Sequence, residues 1–156
     1  MRNLPMNRAS SESPELPDEL SLYRLADEQG VDVYWYPLGP TMESLAVELS
    51  SGEAAIAIDP GKLTGLADEK YKLAHELGHS FTGAFYCRRT PLDEKGRCEQ
   101  RADRWAIEYL LPLPALKGAL STGRRTVQEL AEYFDLPEPF ILRAVAYYTG
   151  PKGEAL

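Results

Sequence analysis

The early part of the chain alternates between hydrophobic and polar positions in a way that predicts three short β-strands. Residues 31–36 are rich in β-branched and aromatic side chains and lie between a glycine and a proline. Residues 44–49 carry large apolar side chains at every second position, which predicts a half-buried strand. These apolar positions are Leu45, Val47 and Leu49. Residues 54–58 form the third predicted strand, and Ser51-Gly52 before it predicts a hairpin.

Hydrophobic residues three and four positions apart predict helices on both sides of these strands. The first helix spans about residues 18–29, with Gly30 in position to end it. The second begins near Thr64, which is a suitable N-cap residue, and ends at Gly83. A loop over about residues 84–97 follows, and another helix is predicted after it.

After residue 114 the sequence predicts a smaller helical unit. Thr126–Glu129 matches a capping box, and the proline-rich segment 136–139 separates two helices, an arrangement typical of a helix-turn-helix. Residues 121–156 contain four basic and five acidic residues, and the second of these helices offers only Arg143 as a cation. A helix that reads a DNA groove needs donors, so we predict partner docking for this unit rather than DNA binding.

The length and composition of the chain predict one globular domain. With 156 residues, 44% of them hydrophobic, the chain can bury a core of its own. We expect a disordered leader over residues 1–17, a core domain over 18–114, and a helical unit over 115–156 packed on that core. The net charge of −7 disfavours nucleic-acid binding, and without an apolar run of signal-peptide or membrane length we expect a cytoplasmic location and no membrane partner.

Both histidines of the chain lie in one pentapeptide, His75-Glu76-Leu77-Gly78-His79, within the second predicted helix. Residues four apart share one helix face, so two imidazoles at this spacing can bind one ion. The pattern H-E-x-x-H is typical of a zinc site in which the glutamate is the general base. His75 and His79 are therefore candidate ligands of one zinc ion per chain, and Glu76 is the candidate catalytic base. A chance match of so short a pattern is the alternative.

A third metal ligand is available at the start of the next predicted helix. One face of that helix carries Glu99, Ala102, Asp103, Ala106 and Leu110. Carboxylates on an otherwise small and apolar face are costly to bury unless they are paired or bound to metal. We predict that Glu99 completes the zinc site and that Asp103, one turn on, orients a ligand histidine through its second N–H. The alternative is a solvated face on which both acids lie near Arg101 and Arg104.

In combination, these motifs resemble the ImmA/IrrE family of gluzincin-type metallo-endopeptidases from bacteria, phages and mobile elements. The matching segments are Lys72–His79, the helix from Glu99 to Ala106, Leu110-Leu111-Pro112 and the strand Ala55–Asp59. The resemblance covers about residues 20–150. It implies a small α+β zincin-like domain with a three-stranded sheet, an active-site helix, a second ligand helix and a C-terminal unit similar to a helix-turn-helix. It also implies zinc bound by His75, His79 and Glu99, with Glu76 as the base.

The resemblance further implies that the protein cleaves a partner, a helix-turn-helix repressor of a phage or mobile element encoded nearby, and thereby acts as an antirepressor. Metal-assisted peptide hydrolysis is the expected reaction, with an extended substrate added to a sheet edge at residues 44–49. Three alternatives stay open: a regulator of the same fold that binds a repressor or toxin without cutting it, a metallohydrolase of small amides, and a DNA-binding protein.

The loop between the two predicted ligand helices carries further candidate residues. One of them could stabilise an oxyanion, and a solvated loop is the alternative. They are Tyr86, Arg88, Arg89, Lys95 and Arg97. Cys87 and Cys98 flank this loop and are expected to be free thiols in a reducing compartment; the alternative is that they are extra metal ligands.

Overall fold

A computed structural model describes residues 16–87 and 89–151, and within these ranges the chain forms six α-helices and three strands. In chain order the elements are α1 (Glu19–Glu28), β1 (Asp32–Trp35), β2 (Ser44–Glu48), β3 (Ala54–Ile58), a 3-10 turn (Pro60–Lys62), α2 (Leu66–Thr82), α3 (Leu92–Leu110), α4 (Leu113–Ser121), α5 (Val127–Phe134) and α6 (Glu138–Thr149). The predicted α+β class is confirmed. Most of the predicted leader lies outside the described residues.

The three predicted strands form one sheet with the order β1-β3-β2. β3 pairs parallel with β1 and antiparallel with β2, so the predicted hairpin is present and β2 lies at one edge. Gly52 in the hairpin turn has a φ of 85°, a left-handed conformation that favours glycine.

The buried face of β2 is the opposite of the predicted one. Ala46 is only 8% exposed and lies opposite the fully buried Ile56, whereas Val47 and Leu49 are 38% and 43% exposed. The side chains of Ser44 and Ala46 share the face on which α2 packs. Because these side chains are small, α2 can lie close to β2, and this packing outweighs the burial of the larger apolar residues on the outer face.

The start of α2 also differs from the prediction. The helix begins at Leu66 with Gly65 at the N-cap, so Thr64 does not cap it. Instead, the backbone N–H of Thr64 donates to the carboxylate of Asp68 at 3.1 Å, which ties the incoming chain to the first turn. The helix ends as predicted, at Gly83 in the left-handed conformation.

α3 begins seven residues earlier than the predicted opening at Glu99, because much of the predicted loop is helical. Pro91 stands at the N-cap, and two acids in the first turn suit the positive end of the helix dipole. One of them, Asp93, pairs with Arg97 one turn on at 2.9 Å. Glu99 therefore lies well inside the helix, where its backbone is fixed.

α2 and α3 pack at very close range where Gly78 faces Ala102. An ideal Cβ atom built on Gly78 would lie 2.5 Å from the backbone oxygen of Ala102, so only glycine fits there. Ala102, Ala106 and Leu110 are buried, which confirms the predicted small and apolar face of α3.

The C-terminal part contains one helix more than the two predicted. α4 begins at Leu113 with Pro114 in its first turn, so the predicted domain boundary after residue 114 falls inside a helix. The predicted capping box of α5 is present, with both hydrogen bonds formed between Thr126 and Glu129.

One apolar core extends from α1 to α6. Its largest fully buried side chains are Leu22, Ile56, Ile58, Leu73, Leu77, Leu111, Leu116, Phe140 and Ile141. The buried ammonium of Lys70 on α2 donates to the carbonyl of Phe134 at the end of α5. None of the helices in the described ranges combines the length and the apolar character needed to cross a bilayer.

Candidate metal centre

The two histidines of α2 direct their Nε2 atoms at each other. His75 and His79 are one helical turn apart, and these two atoms are separated by 3.2 Å. The rings meet edge to face, with centroids 4.9 Å apart. The predicted convergence of two imidazoles on one point is therefore present.

The carboxylate of Glu99 reaches the same point from α3. Its oxygens lie 3.2 Å from His75 Nε2 and 3.5 Å from His79 Nε2. The close approach of α2 and α3 at Gly78 brings this carboxylate within reach. In the described part of the chain, these three residues form a cluster whose ligand atoms all lie within 4.8 Å of one another.

The other ring nitrogens show that this cluster fits a cation. His75 Nδ1 lies 2.9 Å from Asp103 Oδ1, and His79 Nδ1 lies 2.8 Å from the carbonyl oxygen of Ala84. Because both partners are acceptors, Nδ1 carries the proton whenever the ring is neutral, and Nε2 then has a lone pair that faces the centre of the cluster. Two facing lone pairs and a carboxylate repel one another unless a proton or a metal ion lies between them. Two imidazoles and one carboxylate are a common ligand set of catalytic zinc.

The pKa values of His75 and Glu99 are shifted so that the two residues carry opposite charges when no metal is bound. Burial opposes a charged His75, but its hydrogen bonds to Asp103 and Glu99 outweigh burial and raise its pKa to about 9. Hydrogen bonds from both histidines hold the pKa of Glu99 well below its usual range. The cluster thus stabilises a positive charge at its centre and keeps Glu99 ionised.

Glu76 is buried beside the cluster, with 5% of its surface exposed. Burial raises the pKa of its carboxyl group, although a hydrogen bond from Ser44 opposes this shift. Ser44 lies on the edge strand β2, and its hydroxyl donates a hydrogen bond of 2.6 Å to Glu76 Oε1. Sequence reasoning missed Ser44, because only the folded sheet brings a residue 32 positions away to the predicted base.

A cavity of about 260 Å³ opens over the cluster. One wall is formed by residues 41–46, which are the start of β2 and the segment before it, and the other comes from α2, the loop after it, and α3. Tyr86 in that loop meets the ring of His79 edge to face at 5.7 Å. Burial, followed by a hydrogen bond to Glu99, raises the pKa of Tyr86 well above its usual range, so its hydroxyl stays protonated.

The other loop candidates lie elsewhere. Lys95 and Arg97 belong to α3, where Lys95 lies over the ring of Tyr86 and Arg97 pairs with Asp93. Arg88 is outside the described residues. Both cysteines are free, as predicted, and neither belongs to the metal-ligand cluster found in the described ranges.

Arg143 and Tyr71 line the same cavity, although neither was predicted as a site residue. Tyr71 precedes His75 by one helical turn and donates a long hydrogen bond to Asp103 Oδ1 at 3.4 Å. Arg143 comes from α6 and reaches Asp103 Oδ2 at 3.4 Å. The spacing of Tyr71 and His75 was a usable local signal, whereas nothing in the sequence linked Arg143 to α2.

Comparisons with known proteins found a matching family model and a similar fold. A family model described as Peptidase_M78, IrrE N-terminal-like domain, matches residues 26–145. A solved structure titled Mycobacterium tuberculosis transcriptional regulator has a similar fold, with a TM-score of 0.61 at 15% sequence identity. The alignment covers 86% of this chain but only 42% of that one, so the chain spans less than half of that protein. No curated protein matches the chain.

Proposed function

The chain belongs to the Peptidase_M78 family of IrrE N-terminal-like domains, and on that premise we propose that it is a zinc-dependent endopeptidase that cleaves a partner protein. One observation carries the proposal: His75, His79 and Glu99 converge from two helices on a single point, beside the buried carboxylate of Glu76. A site that only stabilises the fold would not need a buried acid at its open side.

His75, His79 and Glu99 would hold the ion. When bound, zinc supplies Lewis acidity, which polarises a carbonyl group and lowers the pKa of water. The protein orients the two imidazoles before an ion binds. Asp103 and the carbonyl of Ala84 accept hydrogen bonds from the Nδ1 atoms, which fixes the ring orientations and directs both Nε2 atoms at the centre of the cluster.

Glu76 would act as the general base. It takes a proton from the attacking water and passes it to the amine of the leaving peptide. Its raised pKa suits a group that must both accept and release a proton. The hydrogen bond from Ser44 leaves the second carboxylate oxygen for the water and holds the first toward the substrate strand.

The edge of β2 would bind the substrate. Among the described residues β2 pairs with β3 alone, and its first residues form part of a wall of the cavity. An extended peptide can add to such an edge through main-chain hydrogen bonds, which passes its backbone in front of the cluster. A long, unfolded or flexible segment of a partner fits this groove.

The partner that we propose is a helix-turn-helix repressor, recognised in part by the C-terminal helices α5 and α6. DNA is not proposed as a ligand. The one cation that the sequence offers in the second of these helices, Arg143, lines the cavity over the cluster. The pair of helices is therefore better suited to holding a protein substrate near the site than to reading a groove.

The test compares zinc-loaded wild type with Glu76→Gln, using a helix-turn-helix repressor taken from the neighbouring genes and a mixture of unfolded proteins. Mass spectrometry of new termini measures the rate. Wild type should cleave, and Glu76→Gln should retain zinc but lose at least about 10²-fold in rate, a typical general-base contribution. Glu94→Gln, an exposed acid in the first turn of α3, should keep the wild-type rate. Tight binding of the repressor without new termini would instead favour the non-proteolytic regulator.

A further inference from the structure

Arg143 is a cation of the cavity wall whose N–H donors are not all used by the other residues that the structure describes. Apart from the histidines, Lys72 is the other basic residue of the cavity wall, and its ammonium already has acidic and carbonyl partners. Its ammonium lies 2.5 Å from Asp68 Oδ2, 3.2 Å from Glu43 Oε2 and 3.3 Å from the carbonyl oxygen of residue 62. Each of its three N–H groups therefore has an acceptor.

The guanidinium of Arg143, by contrast, has few acceptors around it in the described part of the chain. It carries five N–H donors. Its only carboxylate partner among the described residues is Asp103, at a length of 3.4 Å. This contact is long compared with the roughly 2.7–2.9 Å of a strong charge-assisted hydrogen bond. The side chain is also 44% exposed and lines the cavity, so the guanidinium is accessible to a ligand there.

Tyr71 holds this guanidinium in place. The central carbon of the Arg143 guanidinium lies 4.7 Å from the centre of the Tyr71 ring, a cation–π distance. The ring itself packs between Phe140 at 5.2 Å and His75 at 6.0 Å. Burial raises the pKa of Tyr71 to about 12, so the ring stays neutral. A planar group held against a fixed ring is suited to bind a carboxylate through two parallel hydrogen bonds.

We propose that Arg143 forms a subsite for a carboxylate of the substrate, so that the site prefers peptides with an acidic group close to the bond that is cut. This inference rests on the proposed peptidase function. The remaining charged groups of the cavity wall include three acids, Glu43, Glu76 and Glu99, which repel a second acid. Arg143 therefore determines where a negative group can lie.

The subsite does not compete with the metal ligands. Asp103 uses its Oδ1 for His75 and its Oδ2 for Arg143. A substrate carboxylate can bind the free donors of Arg143 while the bond from His75 to Asp103 is kept. The carboxylate can come from an aspartate or glutamate side chain or from the free C-terminus of a short peptide, because both offer the same two oxygens.

Binding to zinc-loaded Glu76→Gln tests the subsite separately from turnover. The probes are short fluorescent peptides of alanine, leucine and serine with an amidated C-terminus. A single aspartate is moved through every position, and each peptide has an asparagine counterpart. A further pair compares the free and the amidated C-terminus. Fluorescence anisotropy should show about tenfold tighter binding for the acid at one or two positions, the effect of a modest charge-assisted contact.

Adding Arg143→Gln in the same background should reduce this ratio to within about twofold, with zinc content unchanged. Arg124→Gln is the matched control, since that half-buried arginine also lies over a tyrosine ring, that of Tyr133, but outside the cavity wall. A gain confined to the free C-terminus would support the subsite and assign it to chain ends. Equal binding of acid and neutral peptides, an unchanged ratio in Arg143→Gln, or no binding of any peptide would overturn the inference.

Failure of the peptidase proposal has a different signature. If zinc-loaded wild type does not hydrolyse the acidic peptides that Glu76→Gln binds, the hydrolytic role is contradicted, whereas the carboxylate subsite stands.

Discussion

Each histidine of the cluster has two ring nitrogens with different tasks. Nδ1 of His75 is held by a carboxylate and Nδ1 of His79 by a backbone carbonyl, while both Nε2 atoms face the centre. A carboxylate partner gives the imidazole more negative character than a carbonyl does, so the two imidazoles are not equivalent. Asp103 therefore controls both the orientation and the proton affinity of His75.

Asp103→Ala is expected to weaken zinc binding by roughly 10–100-fold, the usual effect of losing a partner of a ligand histidine. Competition with a fluorescent zinc chelator measures the change. Asp93→Ala is the matched control on the same helix, because its side chain pairs only with the exposed Arg97 among the described residues and should leave the affinity unaltered. Equal losses in the two variants would mean that Asp103 acts through helix stability alone.

Zinc binding is also expected to strengthen as the pH rises. Without metal, burial is outweighed by hydrogen bonds to Asp103 and Glu99, and the pKa of His75 lies at about 9. At pH 7 the ring is therefore protonated and must lose its proton to the buffer as zinc enters. The apparent affinity should rise by about tenfold per pH unit up to about pH 9 and then level off.

Calorimetry in two buffers of different ionisation enthalpy measures this proton directly. At least about one proton should be released per zinc at pH 7. Binding without proton release, or an affinity that is flat from pH 6 to 8, would contradict the raised pKa of His75.

The three residues of the cluster could be picked out because their signals are local, whereas the residues around them could not. His75 and His79 are four apart on one helix, and the face of Glu99 shows the period of a helix. Ser44, by contrast, meets Glu76 across 32 positions, and Arg143 meets Asp103 across 40. Such contacts depend on the tertiary packing of several elements, which no short-range pattern encodes.

At the scale of elements, the centre depends on how closely α2 and α3 approach. Gly78 lies so close to Ala102 that a Cβ atom would not fit between them, and this close approach brings Glu99 within reach of the histidines. Helix ends were harder to predict than this face. Thr64 was predicted as an N-cap, but its backbone N–H bonds to Asp68 instead. α3 begins directly after Pro91, earlier than the spacing of its apolar residues predicted.

Gly78→Ala should destabilise the protein by about 1–3 kcal/mol, the usual cost of overpacking a tight contact. Urea denaturation measures the free energy of unfolding. Gly96→Ala is the control within α3, where an added Cβ meets nothing within 4 Å. That change should stabilise the helix by about 0.5–1 kcal/mol, because alanine loses less backbone entropy than glycine. Shifts of the same sign and size in the two variants would contradict the tight contact.

At the scale of the whole molecule, one core joins the sheet, the ligand helices and the C-terminal helices. This continuity explains how α6 can contribute Arg143 to a cavity formed mainly by the earlier part of the chain. It also means that an ion held between α2 and α3 should stabilise the entire fold rather than one segment.

Removal of zinc with a chelator is therefore expected to lower Tm by roughly 5–10 °C in a single transition. This range follows from about 2.7 kcal/mol for an ion at 100 times its Kd and from a shift of about 2–4 °C per kcal/mol at this chain length. Differential scanning calorimetry measures it. Glu76→Gln should show the same shift, and Glu99→Ala should show almost none. A wild-type Tm that does not change when the chelator is added would contradict the expected stabilisation of the fold by zinc.

The most direct measurement of the central claim is the zinc content of purified protein by elemental analysis. Wild type and Glu76→Gln should each carry about one zinc per chain, since two imidazoles and one carboxylate leave a fourth position for water. His75→Ala, His79→Ala and Glu99→Ala should carry almost none while remaining folded by circular dichroism. Equal zinc content in all five proteins, or none in wild type after incubation with zinc, would contradict a metal centre formed by these three residues.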